Sequence, residues 1–218
     1  MKNRNIAELN EKYKTLSPAE RVKELYSDFS KVLFTSSFGT TSAILIHLFS
    51  KVRPDQKIYF LDTTYHFAET LQYKDQLTNL FHLNVESLLP EDWKNSFTRE
   101  DQTWSKDPDL CCSINKVEPL DRIKAGFEVW VSGLMQSQNS YRKKMDVFEQ
   151  KDGIIKFYPI IDMTTEDSNR YIEANGLPPH PLLAHEFASV GCIHCTVKGR
   201  GREGRWVNRN KTECGLHL

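Results

Sequence analysis

The sequence predicts an α/β fold, a mostly parallel sheet with helices on both faces. Three observations carry that expectation: apolar runs of strand length, helical segments between them, and turn residues at the joins. In "SPAERVKELYSDF", Ser17 reads as an N-cap, Pro18 as the first helical residue and Glu20 as the far side of a capping box. Val22, Leu25, Tyr26 and Phe29 then recur at helical spacing. "KVLFTSS" reads as a buried strand, and a loop at Gly39 leads into the apolar helix "TSAILIHLFSKV". "KIYFLD" is a second strand, followed by the helix "HFAETLQYKDQLTNLF". "HLNVESL", "FEVWVSG" and "IIKFYPI" supply further strands, and "TTEDSNRYIEANG" a helix ending at Gly176. Ligands of such sheets sit beyond the strand C-termini, which singles out "TSSFGTTS" and "LDTTYHF".

The chain has 218 residues and is 39% hydrophobic, enough for one domain with its own core. No apolar run reaches the roughly 18 residues of a membrane span, and "MKNRNIAELNEKYK" lacks the apolar stretch of a signal peptide. A cytoplasmic location follows as the expectation, where clustered thiols bind metal or do chemistry more often than they form disulfides. The net charge is zero but uneven. Residues 196–218 carry Lys198, Arg200, Arg202, Arg205, Arg209 and Lys211 against Glu203 and Glu213. A basic segment on a chain that is not basic overall suits a small anionic substrate better than nucleic acid.

"SSFGTT", between a strand and a helix, offers hydroxyls and backbone N–H groups to an anion at a helix N-terminus. It lacks the Gly-Lys-Ser/Thr element of a Walker loop, and its bland alternative is an ordinary turn. In "LDTTYHFAET", Asp62 suits either a nucleoside contact or a helix cap. The cysteines say more. Cys111–Cys112 and Cys192–Cys195 form two tight pairs that together supply four thiolates to one metal centre. Adjacent Cys111 and Cys112 fit a zinc ribbon poorly, which favours a four-cysteine iron–sulfur cluster while leaving zinc open. Cys214 stands alone on the basic tail, where Arg, Lys and His217 favour a nucleophilic thiolate over an idle surface thiol. His180 and His185 read as structural, and Trp206, in "GRW", as a residue that orders the tail.

Together these segments resemble the assimilatory sulfonucleotide reductases, which reduce adenylyl sulfate (APS) or its 3′-phosphorylated form (PAPS) to sulfite. The likeness runs from about residue 31 to 217; "KTECGLH" is its most specific element, supported by "CCSINKVEPL", "GCIHCT" and "LDTTYHFAET". The resemblance implies a Rossmann-like adenine nucleotide alpha-hydrolase fold with a flexible C-terminal catalytic tail. The expected organisation is an N-terminal helical segment over 1–30, a nucleotide-binding α/β domain over 31–185, and a Cys/Arg-rich segment with the tail over 186–218. Family members with both cysteine pairs carry a 4Fe–4S cluster and mostly use APS, so the resemblance implies cluster ligation by Cys111, Cys112, Cys192 and Cys195. It matches Ser36, Ser37, Phe38 and Gly39 to the nucleotide loop, and Leu61 and Asp62 to the adenosine-binding strand end. Lys116 matches the lysine between cluster and sulfate, while Arg202, Arg205 and His217 match residues around the phosphosulfate. In "GLMQSQNSYR", Arg142 is retained but Met135 stands where the loop's first arginine usually sits; His194 replaces a common proline.

The chemistry implied is attack by the Cys214 thiolate on the phosphosulfate sulfur, giving an S-sulfocysteine and AMP. An external dithiol, thioredoxin or glutaredoxin, then releases sulfite, since the sequence ends at the motif with no redoxin domain. The alternatives are the same reaction on PAPS, an ATP pyrophosphatase, for which the loop lacks a second glycine and an aspartate, and a non-enzymatic metal-stabilised module. No membrane or nucleic-acid partner is expected, and the sequence admits a homo-oligomer without specifying one.

Overall fold

The structure, a computed structural model, describes residues 4–151, 153–209 and 211–216. Among these residues six strands form one sheet: β1 (Val32–Ser36), β2 (Lys57–Leu61), β3 (Asn84–Leu88), β4 (Val129–Val131), β5 (Phe148–Lys151) and β6 (Ile154–Phe157). Their order is β3-β2-β1-β4-β6-β5, parallel throughout except for the antiparallel pair β5–β6. Each strand expected from the sequence forms. The edge strand β5 does not announce itself, because "FEQK" has one apolar residue and an exposed side.

Helices α1 (Ile6–Lys14) and α2 (Pro18–Asp28) precede the sheet, and the expected capping box at Ser17 and Glu20 opens α2. The first two crossovers carry α3 (Ser42–Val52) and α4 (Ala68–Phe81). Between β3 and β4 the chain breaks into short pieces: α5 (Asp92–Glu100), α6 (Thr103–Lys106), α7 (Pro108–Cys112), a π-helical turn (Ser113–Val117) and α8 (Glu118–Lys124). Helix α9 (Thr165–Ala174) follows β6, and Gly176 takes a φ of +57° just past its end.

All five positions of β1 are buried, as a central parallel strand requires. Phe34 packs in the main core with Ile58, Phe60 and Val131, and Leu33 packs on the other face with Leu61, Leu120 and Trp130. The N-terminal helices share the main core through Leu9, Tyr13, Val22, Leu25 and Phe29, so residues 4–30 are continuous with the α/β domain. Arg21 fastens them: its side chain is 1% exposed, donates to the carbonyls of Tyr13 and Pro159, and grips the Asp162 carboxylate with two bonds of 2.7 Å.

The sheet order places the functional region. From β1 the chain moves outward through β2 and β3, whereas β4, on the other side of β1, leads outward to β6. The loops leaving the C-terminal ends of β1 and β4 therefore diverge and leave a crevice between them.

His180 shows how a histidine without chemical work is accommodated. It is 1% exposed, accepts the Leu182 N–H at Nδ1, donates from Nε2 to Thr70 and packs edge-on to Tyr73 at 4.9 Å. Burial lowers its pKa from 6.5 to about 4. A histidine depressed in the folded state lends stability that is complete above pH 6.5 and fades as pH falls toward 4. Chemical denaturation across that window should show wild type losing about 3 kcal/mol more than His180→Gln; parallel pH profiles would contradict the assignment.

Candidate active site

A cleft of about 450 Å³ opens at the β1/β4 divergence. Ser36, at the end of β1, and Ser37 and Gly39, from the loop after it, line the cleft, and Thr41 and Ser42 bring the N-terminus of α3 to its edge. Thr41 makes no side-chain cap; the Ser42 N–H instead donates to the Gly39 carbonyl at 3.0 Å and the Ile44 N–H to the Thr41 carbonyl at 3.3 Å. Phe38 behaves differently from its neighbours. Its φ of +48° turns the loop, the Ser36 hydroxyl accepts its N–H at 3.1 Å, and its ring packs against Phe60 in the core rather than on the cleft wall.

From the end of β2, Leu61 lines the cleft but Asp62 does not. The Asp62 carboxylate accepts the Thr64 N–H at 2.9 Å, which makes it a turn former. The cleft residue of this motif is His66, whose Nε2–H donates to the Leu61 carbonyl at 3.0 Å. Burial lowers its pKa, keeping the ring neutral. Only its place in "YHF" marks it in the sequence. After β4, Gly133, Leu134, Met135 and Gln138 continue the wall. Met135 is buried, and its sulfur accepts the Ser168 hydroxyl at 3.4 Å, so an apolar thioether stands where the resemblance implies an arginine.

Cys214 reaches this cleft on the tail, and an interaction the sequence did not reveal holds it there. Glu213 is 1% exposed, and both its oxygens accept 2.7 Å bonds from the Arg142 guanidinium. Asn139 donates a third bond at 2.7 Å, and Arg202 approaches to 3.6 Å. Burial opposes the Glu213 charge, but Arg142 outweighs it and holds the carboxyl below its ordinary value. Arg142 thus spends its planar fork on the tail. On the far side of Cys214, Gly215 turns at φ +86°, Leu216 packs on the Trp130 cluster and the Leu216 carbonyl accepts from Lys156 at 3.3 Å. His217 lies outside the described residues.

Lys116, Arg202 and Arg205 bring positive charge to the same cleft. Burial works against the Lys116 charge, but the nearby cysteine sulfurs of Cys192, Cys112 and Cys214 raise its pKa above the ordinary lysine value. Arg202 falls to about 10 through burial and the nearby Arg142. Gly191 makes room for Arg205: a Cβ there would lie 2.2 Å from the guanidinium. Both arginines flank the Trp206 ring, Arg205 at 4.4 Å and Arg202 at 5.6 Å from its centroid. The turn that carries them needs Gly204, whose Cβ would fall 2.1 Å from the Val197 carbonyl oxygen.

The remaining thiols, Cys111, Cys112, Cys192 and Cys195, are free and line a second, smaller cavity next to the cleft. Lys116 borders both spaces. Burial pushes Cys111 up to about 12, with the neighbouring thiols adding to the rise, and also raises Cys112 and Cys195. Burial also acts to raise Cys192, but Lys116 and the Thr63 hydroxyl at 3.4 Å bring it below the usual thiol value. Among the described residues no group of three or more His, Cys, Asp or Glu side chains converges to hold a metal ion. The four thiols line one cavity and so form a candidate donor set for a metal centre.

Comparisons with known proteins identify the family. Residues 31–198 match the family model for the phosphoadenosine phosphosulfate reductase domain. An adenosine 5′-phosphosulfate reductase from Halalkalibacterium halodurans is 34% identical, covering 98% of this chain and 96% of its own. One of the same name from Staphylococcus saprophyticus is 38% identical over 89% of this chain and 83% of its own. A phosphoadenylyl-sulfate reductase from Candida auris, solved as a phosphate complex, superposes with a TM-score of 0.78 at 27% identity, over 90% of this chain and 98% of that one. An FMN adenylyltransferase from Candida glabrata shares the fold alone, with a TM-score of 0.61 at 11% identity over 92% of this chain and 69% of that one. The chain belongs to the phosphoadenosine phosphosulfate reductase family.

Proposed function

We propose that this protein reduces adenylyl sulfate to sulfite and AMP through a covalent S-sulfo intermediate on Cys214. One observation carries the reading: a cysteine on the tail shares a cleft with the strand-end loops of a nucleotide-type sheet and with Lys116, Arg202 and Arg205. The family relatives named adenosine 5′-phosphosulfate reductase support the substrate.

The nucleoside lies against the ends of β1, β2 and β4, and the phosphosulfate points toward the cations. The Cys214 thiolate attacks sulfur as the bond between sulfur and the bridging oxygen breaks. AMP departs with that electron pair, and the sulfonate stays on Cys214. Lys116, Arg202 and Arg205 reduce the repulsion between two anions and stabilise charge on the departing phosphate. A dithiol of the thioredoxin type then attacks the Cys214 sulfur, sulfite leaves with the electron pair of the sulfur–sulfur bond, and the second thiol resolves the mixed disulfide. The dithiol supplies both electrons, so the reaction balances.

Cys111, Cys112, Cys192 and Cys195 would hold a 4Fe–4S cluster, which when bound adds negative charge and rigidity beside Lys116. Lys116, on the partition between the cavities, answers to the thiol side and the substrate side together.

Mixing the protein anaerobically with adenylyl sulfate and no reductant should add one sulfonate per chain by intact mass, mapped to Cys214, with one AMP released. Modification that persists in Cys214→Ser, or none in wild type, would overturn the mechanism. Faster modification by the 3′-phosphorylated substrate would move the assignment to that nucleotide. For the metal centre, protein purified without oxygen should carry about four irons and four acid-labile sulfides per chain. Cys192→Ser should lose most of both, and zinc in equimolar amount instead would refute the cluster.

A further inference from the structure

Among the described residues, three buried side-chain polar atoms have no hydrogen-bond partner: His66 Nδ1, Arg205 Nε and Trp206 Nε1. All three belong to residues lining the Cys214 cleft. Buried polar groups are nearly always paired, so three orphans around one space mark it as the place where a ligand completes the bonding. They are not equivalent. Because Nε2 of His66 donates to the Leu61 carbonyl, its Nδ1 is an acceptor and has nothing to offer an anion. Arg205 Nε and Trp206 Nε1 are both donors, on adjacent residues.

We propose that Trp206 is a direct substrate-binding residue, its indole N–H donating to an anionic oxygen of the phosphosulfate group. The proposal rests on the reading of the cleft as a phosphosulfate site and adds a neutral donor to its charged ones. Three observations converge on it. Trp206 is 3% exposed, so water does not compensate its N–H. Its ring packs against the guanidiniums of Arg205 and Arg202, which restricts the direction of the donor. A cation over an indole face also withdraws electron density and strengthens the N–H as a donor. Finally, Trp206 adopts a φ of +51°, a conformation bulky residues avoid and which clusters at ligand clamps. Its own backbone is satisfied, the N–H donating to the Cys195 carbonyl at 3.1 Å and the carbonyl accepting from Arg209 at 3.0 Å. Packing alone would be served by phenylalanine; an indole whose N–H ends unpaired beside two arginines calls for an acceptor.

The location gives the donor a particular value. Cys214, Arg202 and Arg205 border the same space, so a bond from Trp206 holds the anionic end of the substrate where the thiol meets it. Unlike a further cation, a neutral N–H adds direction without more mutual repulsion among the guanidiniums.

Calorimetric titration of the full chain in a Cys214→Ser background, where no turnover occurs, tests this with adenosine, AMP and adenylyl sulfate as probes. Trp206→Phe keeps a ring for Arg205 and removes the donor. It should weaken adenylyl sulfate about tenfold, the value of a hydrogen bond to a charged acceptor, and leave adenosine unchanged. Equal weakening of adenosine and adenylyl sulfate would reduce Trp206 to a residue that shapes the cleft, and unchanged binding of both would also overturn the proposal. If Trp206→Phe does not fold, benzothienylalanine at position 206, which replaces N–H with sulfur at nearly constant shape, should give the same split. Failure of the Cys214→Ser parent to bind any of the three probes would instead strike the underlying nucleotide reading.

Discussion

The geometry of the site depends on one buried ion pair, Arg142 with Glu213. A chain terminus frays by default, because few contacts offset the entropy of ordering it. Here the residue before the nucleophile is buried and bonded by a planar guanidinium, with Asn139 on one of its oxygens. Buried ion pairs contribute little net stability once desolvation is counted, but they penalise every arrangement that leaves either partner alone. The pair therefore selects a position more than it strengthens the fold. With Glu213 fixed, the next residue has little freedom, and Leu216 packed on the sheet closes the other side. The thiol meets the cleft because both of its flanks are anchored.

The same arrangement explains the excess of positive charge. Arg142 is neutralised by Glu213, which leaves Lys116, Arg205 and in part Arg202 to face a multiply charged substrate. Their mutual repulsion is visible in Arg202, brought down to about 10 by burial and its neighbour Arg142. Such a cluster costs stability without an anion and repays it with one, which suits binding directed at charge. Trp206 fits the same logic from the uncharged side. Met135 does the reverse: an apolar side chain at the wall lowers the charge available there.

Much of this was legible in the sequence, for reasons that can be named. β1, β2, β4 and β6 are apolar runs because parallel strands covered on both faces must be. The N-cap of α2 was visible because Ser17, Pro18 and Glu20 each act locally. The region 92–124 was not legible, since α6, α7 and the π turn are each five residues or fewer and none is long enough for an apolar stripe to repeat. The thiol pairs and the tail cysteine stood out by residue type, and the cleft brings Cys214 together with Lys116, Arg202 and Arg205. Phe38 and Asp62 were matched to the nucleotide site by motif, yet one ring packs into the core and one carboxylate caps a turn. Motif position fixes a backbone segment, not the direction of each side chain. Glu213 escaped notice because its partner lies 71 residues away in sequence, and no local pattern encodes that distance.

The central claim is that the Arg142–Glu213 pair docks the tail so that Cys214 is presented to the cleft. A double-mutant cycle on the single-turnover rate of sulfonate transfer to Cys214 tests it most directly, using Arg142→Met, Glu213→Gln and the combination. Each single change should slow transfer about a hundredfold, the kinetic equivalent of losing about 3 kcal/mol of docking, and the double variant should be no slower than the worse single. Fully additive losses, or a Glu213→Gln variant as fast as wild type, would contradict the account.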